Sequence, residues 1–192
     1  MNIWVFDFLR VSRPLNDYSK VFEQWLSDGI IEKVESNGVE GHYLPHRPVL
    51  KLSSTTPIRP VFDASAKSKD GISLNACLEV GPNLIELIPS SINRFREYDT
   101  GIVSDIAKAF LQIVVSPKHR DFLRFLWIIN NQVVVFRHVR LAFGLSCSPF
   151  ILGVIIELIL QVAEQRLINR KKVGWSQKTL EKLKKAFYFD NF

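Results

Sequence analysis

Two aspartates stand where their chemistry matters. Asp105 ends the apolar stretch "IVSDI", and the chain turns at once into "AKAF". Asp190 follows the aromatic stretch "AFYF", and Asn191 comes directly after it. A carboxylate among aromatics is costly to bury without a partner. A strand-end aspartate beside a backbone carbonyl is a common way to hold Mg2+ through hard oxygen ligands. Two such carboxylates, brought together from distant parts of a chain, can hold a pair of divalent ions ~3.5–4 Å apart, the arrangement used for nucleotidyl transfer. Each residue also has a plainer reading. Asp105 also reads as the N-cap of the helical turn that follows it, and Asp190-Asn191 as a hairpin-turn dipeptide, and from each stretch alone the plainer reading is preferred.

Two further stretches carry chemistry. In "RLAFGLSCSPF", residues 140–150, Gly144 permits a close backbone approach, and Ser148-Pro149 opens a helix whose first amides favour anions. The same letters fit an ordinary strand–loop–helix junction. In "KLSSTTPIRPVFDASAKSK", residues 51–69, Lys51, Arg59, Lys67 and Lys69 lie on or beside an extended segment. Such cations suit a triphosphate or a nucleic-acid backbone, or form a solvated basic face. His42, His46, His119 and His138 are scattered and read as structural or surface residues. Cys77 and Cys147 have no metal-type spacing and read as reduced, intracellular and structural.

The elements that must position these residues follow from periodicity and turn chemistry. Tyr18, Val21, Phe22, Trp25 and Leu26 predict a helix within 15–35, ended by Asp28-Gly29. "GHYLPHRPVLKL" and "IRPVFDAS" read as extended because their prolines forbid helix, with "AKSKDG" as a basic turn. "PNLIELIPSSINRFREY" predicts a helix broken at Pro89. "GIVSDI" predicts a short buried strand, and "AKAFLQIVV" a turn of helix returning as a strand. "SPKHRDFL" has a Ser-Pro helix start. "FLRFLWI" and "VVVFRHVRL" predict a hairpin about an Asn-Asn turn. "SCSPFILGVIIELILQVAEQRLI" predicts a long core helix, "SQKTLEKLKKAF" an amphipathic helix capped by Ser176, and "FYFD" the start of a strand. Strands and helices mix without a repeating βαβ order, so the class is α+β.

Composition sets the outer bounds. The chain has 192 residues, 47% of them hydrophobic, with 14 Phe and 4 Trp, which is enough for a core and argues against disorder. A net charge of +6 permits a polyanionic partner without requiring one. The N-terminal "MNIWVFDFLR" carries Asp7 and lacks a basic leader, so it is not expected to be a secretion signal. "PFILGVIIELIL" is interrupted by Glu157 and is too short to span a bilayer, so no membrane partner is expected.

Taken in order, these stretches resemble the reverse transcriptase of long-terminal-repeat retrotransposons, most closely the BEL/Pao group, over about residues 15–192. "YLPHRPVLKLSSTTPIRPVFDASAKSKDGISLNACLEVGPNL" is similar to that group's fingers segment, including its VFDAS and LN-CL-GPNL elements. "SDIAKAFLQIVVSPKHRDFLRFLW" resembles the palm motif with the first catalytic aspartate. "FGLSCSPFIL" resembles the glycine-containing motif beside the incoming nucleotide. "FYFDN" resembles the tyrosine–x–aspartate–aspartate hairpin, with Asn191 in place of the second acid.

The resemblance implies a right-hand polymerase fold of fingers and palm, with an antiparallel palm sheet backed by helices. It implies an irregular segment at 1–14, fingers and fingers/palm helices at 15–99, and palm at 100–192. Asp105 and Asp190 would be catalytic and hold Mg2+, or Mn2+ in its place, with the backbone carbonyl of Ile106. Phe110 would sit under the sugar and exclude a 2′-hydroxyl, although an aromatic there also reads as plain core. Arg59 and Lys51 would contact the triphosphate, and Phe143 and Gly144 would line the nucleotide pocket. Partners would be an RNA or DNA template with primer and deoxynucleoside triphosphates, and the location intracellular, cytoplasmic or in retroelement particles. The family continues past the hairpin with a return strand, thumb and RNase H, so the expectation is a truncated retroelement product. The rival expectation is a nucleic-acid-binding remnant without catalysis.

Overall fold

A computed structural model describes residues 12–35, 41–50, 58–97, 99–169 and 174–187. Lys51, Asp190, Asn191 and the strand expected at "FYFD" lie outside the described residues. The fold is mixed α and β, with small antiparallel sheets and helices. It divides into two compact units, each made of two separate stretches. The first holds residues 1–78 and 110–145, the second 79–109 and 146–192.

In the first unit, helix α1 (Ser12–Ser27) is followed by strand β1 (Ile31–Lys33). The helix stops where the sequence predicts. Gly29 takes φ +64°, a conformation that costs glycine little. The amide of Ile30 then reaches back to the carbonyl of Trp25 at 2.8 Å, and that of Gly29 to Leu26 at 3.2 Å, closing a Schellman turn. Strands β2 (His46–Leu50) and β3 (Ile58–Phe62) form a two-stranded antiparallel ribbon. Pro48 lies opposite Pro60 in it, which is tolerated because each strand of a two-stranded ribbon is an edge. Strands β4 (Arg124–Ile129) and β5 (Gln132–His138) form the expected hairpin, and β1 pairs with β5 to give the order β1-β5-β4. Asn130 and Asn131 both take positive φ, 50° and 59°. That is the left-handed pair a two-residue hairpin loop needs, and asparagine tolerates it.

Aromatic rings fill the core of this unit. Tyr18 and Phe22 of α1 meet Phe125 and Trp127 of β4, with Phe22 5.1 Å from each of those two rings. His46 and Phe62 of the ribbon and His138 of β5 complete the cluster. His46 is tied at both ring nitrogens. The carbonyl of Leu126 can only accept, so Nε2 donates to it at 3.0 Å, and Nδ1 accepts from the Tyr18 hydroxyl at 2.7 Å. His138 is fully buried, and neither of its ring nitrogens has a hydrogen-bond partner among the described residues. At the rim, Asp121 takes 2.7–2.8 Å ion pairs from Arg124 and Arg137, and Glu32 pairs with Arg137 at 2.6 Å. These bonds, Arg137's first, hold the Asp121 carboxyl below its ordinary range.

The second unit holds helices α2 (Ile88–Phe95), α3 (Ser148–Ile168) and α4 (Gln177–Lys184). The break at Pro89 is present: a 3₁₀ turn over Leu84–Leu87 passes into α2, with the proline in the first turn, where its missing N–H costs nothing. Ser176 caps α4 by accepting from the Thr179 amide. Lys184 of α4 pairs with Glu164 of α3 at 2.8 Å.

Two expectations are corrected here. Residues 101–106 form no strand among the described residues and are exposed, with Ile102 at 88% and Val103 at 78%. An extended segment becomes a strand only by bonding to a neighbour, and none pairs with it among the described residues. The "GIVSDI" segment is therefore not a buried strand here. The long apolar helix α3 forms and opens at Ser148-Pro149, yet only Ser148, Pro149 and Ile156 are buried. Its apolar residues lie on every side rather than in one stripe, and a helix of that kind exposes whatever its neighbours do not cover.

Candidate functional site

Three stretches of the first unit meet around Gly144. Its φ is +95°, so only glycine sits there without strain. A Cβ at that position would collide with the backbone carbonyl of Phe62, at the end of β3. The carbonyl of Gly144 is held from another direction: Asn75 Nδ2 donates to it at 3.0 Å. The same amide nitrogen donates to Ser65 Oγ at 2.9 Å, and the Asn75 backbone N–H donates to the carbonyl of Ala64 at 2.9 Å. The turn after β3 is itself fixed, because Asp63 Oδ1 accepts from the Ser65 amide at 3.0 Å. "VFDAS", "LN" and "FGL", widely spaced in sequence, thus form one hydrogen-bonded junction.

Phe143 presents its ring beside this junction. It meets Phe110 edge to face, with centroids 4.9 Å apart and planes at 81°. That geometry sets the positive edge of one ring against the negative face of the other. Phe110 opens a 3₁₀ turn, Phe110–Gln112, after which Val114 bridges to Arg140 and the Leu141 amide bonds the carbonyl of Ile113 at 2.9 Å. The segment carrying Phe110 is therefore laced to the one leading into Phe143. Phe143 is nearly half exposed and Phe110 only part-buried. The pair is a partly solvent-exposed apolar surface rather than a sealed core.

Arg59 stands on β3, on the face opposite Ile58, Pro60 and Phe62, and is exposed. Arg47, a strand neighbour on that same outward face, is exposed too, as are Lys67 and Lys69 in the following turn. The alternation of the strand explains this: one ribbon face closes the aromatic core and the other carries cations into solvent.

The structure thus brings Phe110, Phe143 and Gly144 together in the first unit, with Arg59 on the strand that abuts Gly144. Asp105 and Ile106 belong to the second unit, where both are exposed. Asp105 has no ion-pair partner among the described residues, and no group of three or more His, Cys, Asp or Glu gathers there to hold a metal ion. One exposed carboxylate is a suitable hard donor for Mg2+ but does not by itself make a metal site. The chain matches no protein-family model, and no curated protein matches it.

The sequence places Ser65 and Asn75 in the VFDAS and LN-CL-GPNL elements but gives neither a role, because the side-chain amide of an asparagine in a short turn is as often bonded locally as at long range.

Proposed function

We propose that the chain is the fingers and palm part of an RNA-directed DNA polymerase of the BEL/Pao retrotransposon type. The observation that supports this best is the junction at Gly144. Motifs that the resemblance assigns to one nucleotide pocket lie far apart in sequence, yet Phe110, Phe143 and Gly144 meet there with the end of β3. In this reading the Phe110–Phe143 surface receives the sugar and base of a deoxynucleoside triphosphate. Arg59, with Lys51, takes the triphosphate charge as a guanidinium and an ammonium. The proposed metal ligands are Asp105, the Ile106 carbonyl and Asp190. Bound Mg2+ or Mn2+ would supply the Lewis acidity that phosphoryl chemistry requires. Asn191 contributes a neutral carbonyl oxygen where a second acid would add charge.

The test is primer extension on an RNA template by the wild-type chain and by Asp105→Asn. Because Asp105 is exposed, the variant is expected to unfold at the wild-type temperature while extension is lost. Full extension by Asp105→Asn would sink the assignment.

A second reading, a nucleic-acid-binding protein without catalysis, is favoured by the exposed cations Arg47, Arg59, Lys67 and Lys69 on and after the ribbon. It expects binding that weakens steeply with salt, with no nucleotide incorporation.

A further inference from the structure

We propose that Asn75 is a positioning residue: its side-chain amide clasps the Gly144 carbonyl and fixes the Phe143–Gly144 turn in the conformation that receives a nucleotide. The identity of the ligand rests on the polymerase reading; the clasp itself rests on geometry.

The orientation of the amide follows from chemistry. A carbonyl oxygen only accepts, so the nitrogen of the Asn75 side chain, not its oxygen, faces Gly144 at 3.0 Å. The nitrogen carries a second hydrogen, which goes to Ser65 Oγ at 2.9 Å. Both donors are used, and the backbone N–H of Asn75 anchors the residue to Ala64. Asn75 is thereby fixed to the turn after β3 at two points before it reaches across to Gly144.

Gly144 needs such a partner. Its φ of +95° lies where glycine has wide freedom, so the local sequence does not select one turn conformation. Two contacts, one from the end of β3 and one from the turn Leu74–Cys77, remove that freedom. The Phe62 carbonyl blocks the side where a Cβ would stand, and Asn75 holds the carbonyl. Phe143 is the preceding residue. The peptide that Asn75 restrains joins Gly144 to Leu145, so with Gly144 held at φ +95° the clasp fixes the turn that carries the ring meeting Phe110. A packing role would need only the volume of an asparagine. A clasp needs a donor.

That difference defines the test. Hydrogen exchange is measured on the full chain for residues 142–147, with the β4–β5 hairpin, residues 124–138, as the internal control. Asn75→Asp keeps the size and removes the donor, Asn75→Ala removes both, and Ser65→Ala keeps the donor to Gly144. Losing one such hydrogen bond is expected to speed exchange in 142–147 by roughly three- to tenfold in Asn75→Asp and Asn75→Ala. The hairpin should be unchanged, and Ser65→Ala should stay close to wild type. Unchanged exchange in Asn75→Asp, or equal acceleration of the hairpin, overturns the clasp and leaves a packing role.

Titration with a deoxynucleoside triphosphate and Mg2+ tests the ligand separately. Affinity is expected to fall by about the same factor in Asn75→Asp as exchange rises. If wild type binds and Asn75→Asp binds equally well, the positioning role is overturned. If wild type binds no nucleotide, the polymerase reading fails and the nucleotide part of the proposal falls with it, while the exchange data still decide the clasp.

Discussion

Phe110 and Phe143, from separate parts of the chain, meet edge to face with their ring centroids 4.9 Å apart. The contact joins the 3₁₀ turn Phe110–Gln112 to the glycine turn, both in the first unit. An aromatic pair of this geometry contributes on the order of 0.5–1.5 kcal/mol beyond its area burial. A double-mutant cycle with Phe110→Leu and Phe143→Leu, read by urea unfolding, is expected to return a coupling in that range. Strict additivity would show that the two rings do not support one another. In the proposed polymerase, Phe110→Ala should also admit ribonucleotides, measured as ribonucleotide incorporation relative to deoxynucleotide.

Gly144→Ala should be among the most damaging single-methyl changes in the chain. It forces a side chain into a positive-φ position and places its Cβ against a backbone carbonyl, which cannot swing aside as a side chain can. The expected loss is on the order of 2 kcal/mol or more, read as a fall in unfolding midpoint. Gly71→Ala is the control: it has φ +78° but open space around the new Cβ. It should cost about 1 kcal/mol, the conformational part alone.

Stability should fall in mild acid, and His138 is the principal cause. Burial, and then the neighbouring His46, push its pKa down to about 3 from 6.5. The sign follows from linkage. Below pH 6.5 the unfolded chain binds a proton that the folded chain does not, so folding loses free energy as pH drops toward 3. Burial shifts His46 in the same direction. Urea unfolding at pH 7.5, 5.5 and 4.5 should show a falling midpoint, by on the order of 1 kcal/mol per pH unit for one such histidine. His138→Leu removes the titrating ring and two buried polar atoms without partners among the described residues. Its acid sensitivity should be markedly reduced, with stability at pH 7.5 equal or higher. An unchanged pH profile in that variant would remove His138 as the cause.

The outward cations of the ribbon should set any nucleic-acid affinity. In Arg47→Ala with Arg59→Ala, binding to an RNA–DNA hybrid should weaken for every sequence tried, and the slope of log affinity against log salt should fall by about 2. Both residues are exposed, so the unfolding midpoint should not move. A salt slope identical to wild type would place the binding face elsewhere.

Much of the local structure was legible in the letters. Asp28-Gly29 stopping a helix, Asn130-Asn131 turning a hairpin, Pro89 breaking a helix and Ser176 capping one are short-range effects. Each depends on a residue's own φ preference or on a bond to a backbone a few positions away. The prolines of residues 45–60 excluded helix in the same way, whereas the face on which Arg59 stands was set by the strand pairing. What sequence alone could not decide were matters of partner. "GIVSDI" has the composition of a buried strand, but a strand exists through its neighbour's hydrogen bonds, and residues 101–106 have no strand partner among the described residues. Helix α3 is apolar enough for a core, but its burial depends on what lies against each side. Asn75 is one asparagine among several until the fold brings Gly144 to its amide, 69 positions along the chain. Propensity acts over a few residues and can be read from a line of text. A hydrogen bond across that distance is chosen by the free energy of the whole unit, so only the tertiary structure could reveal it.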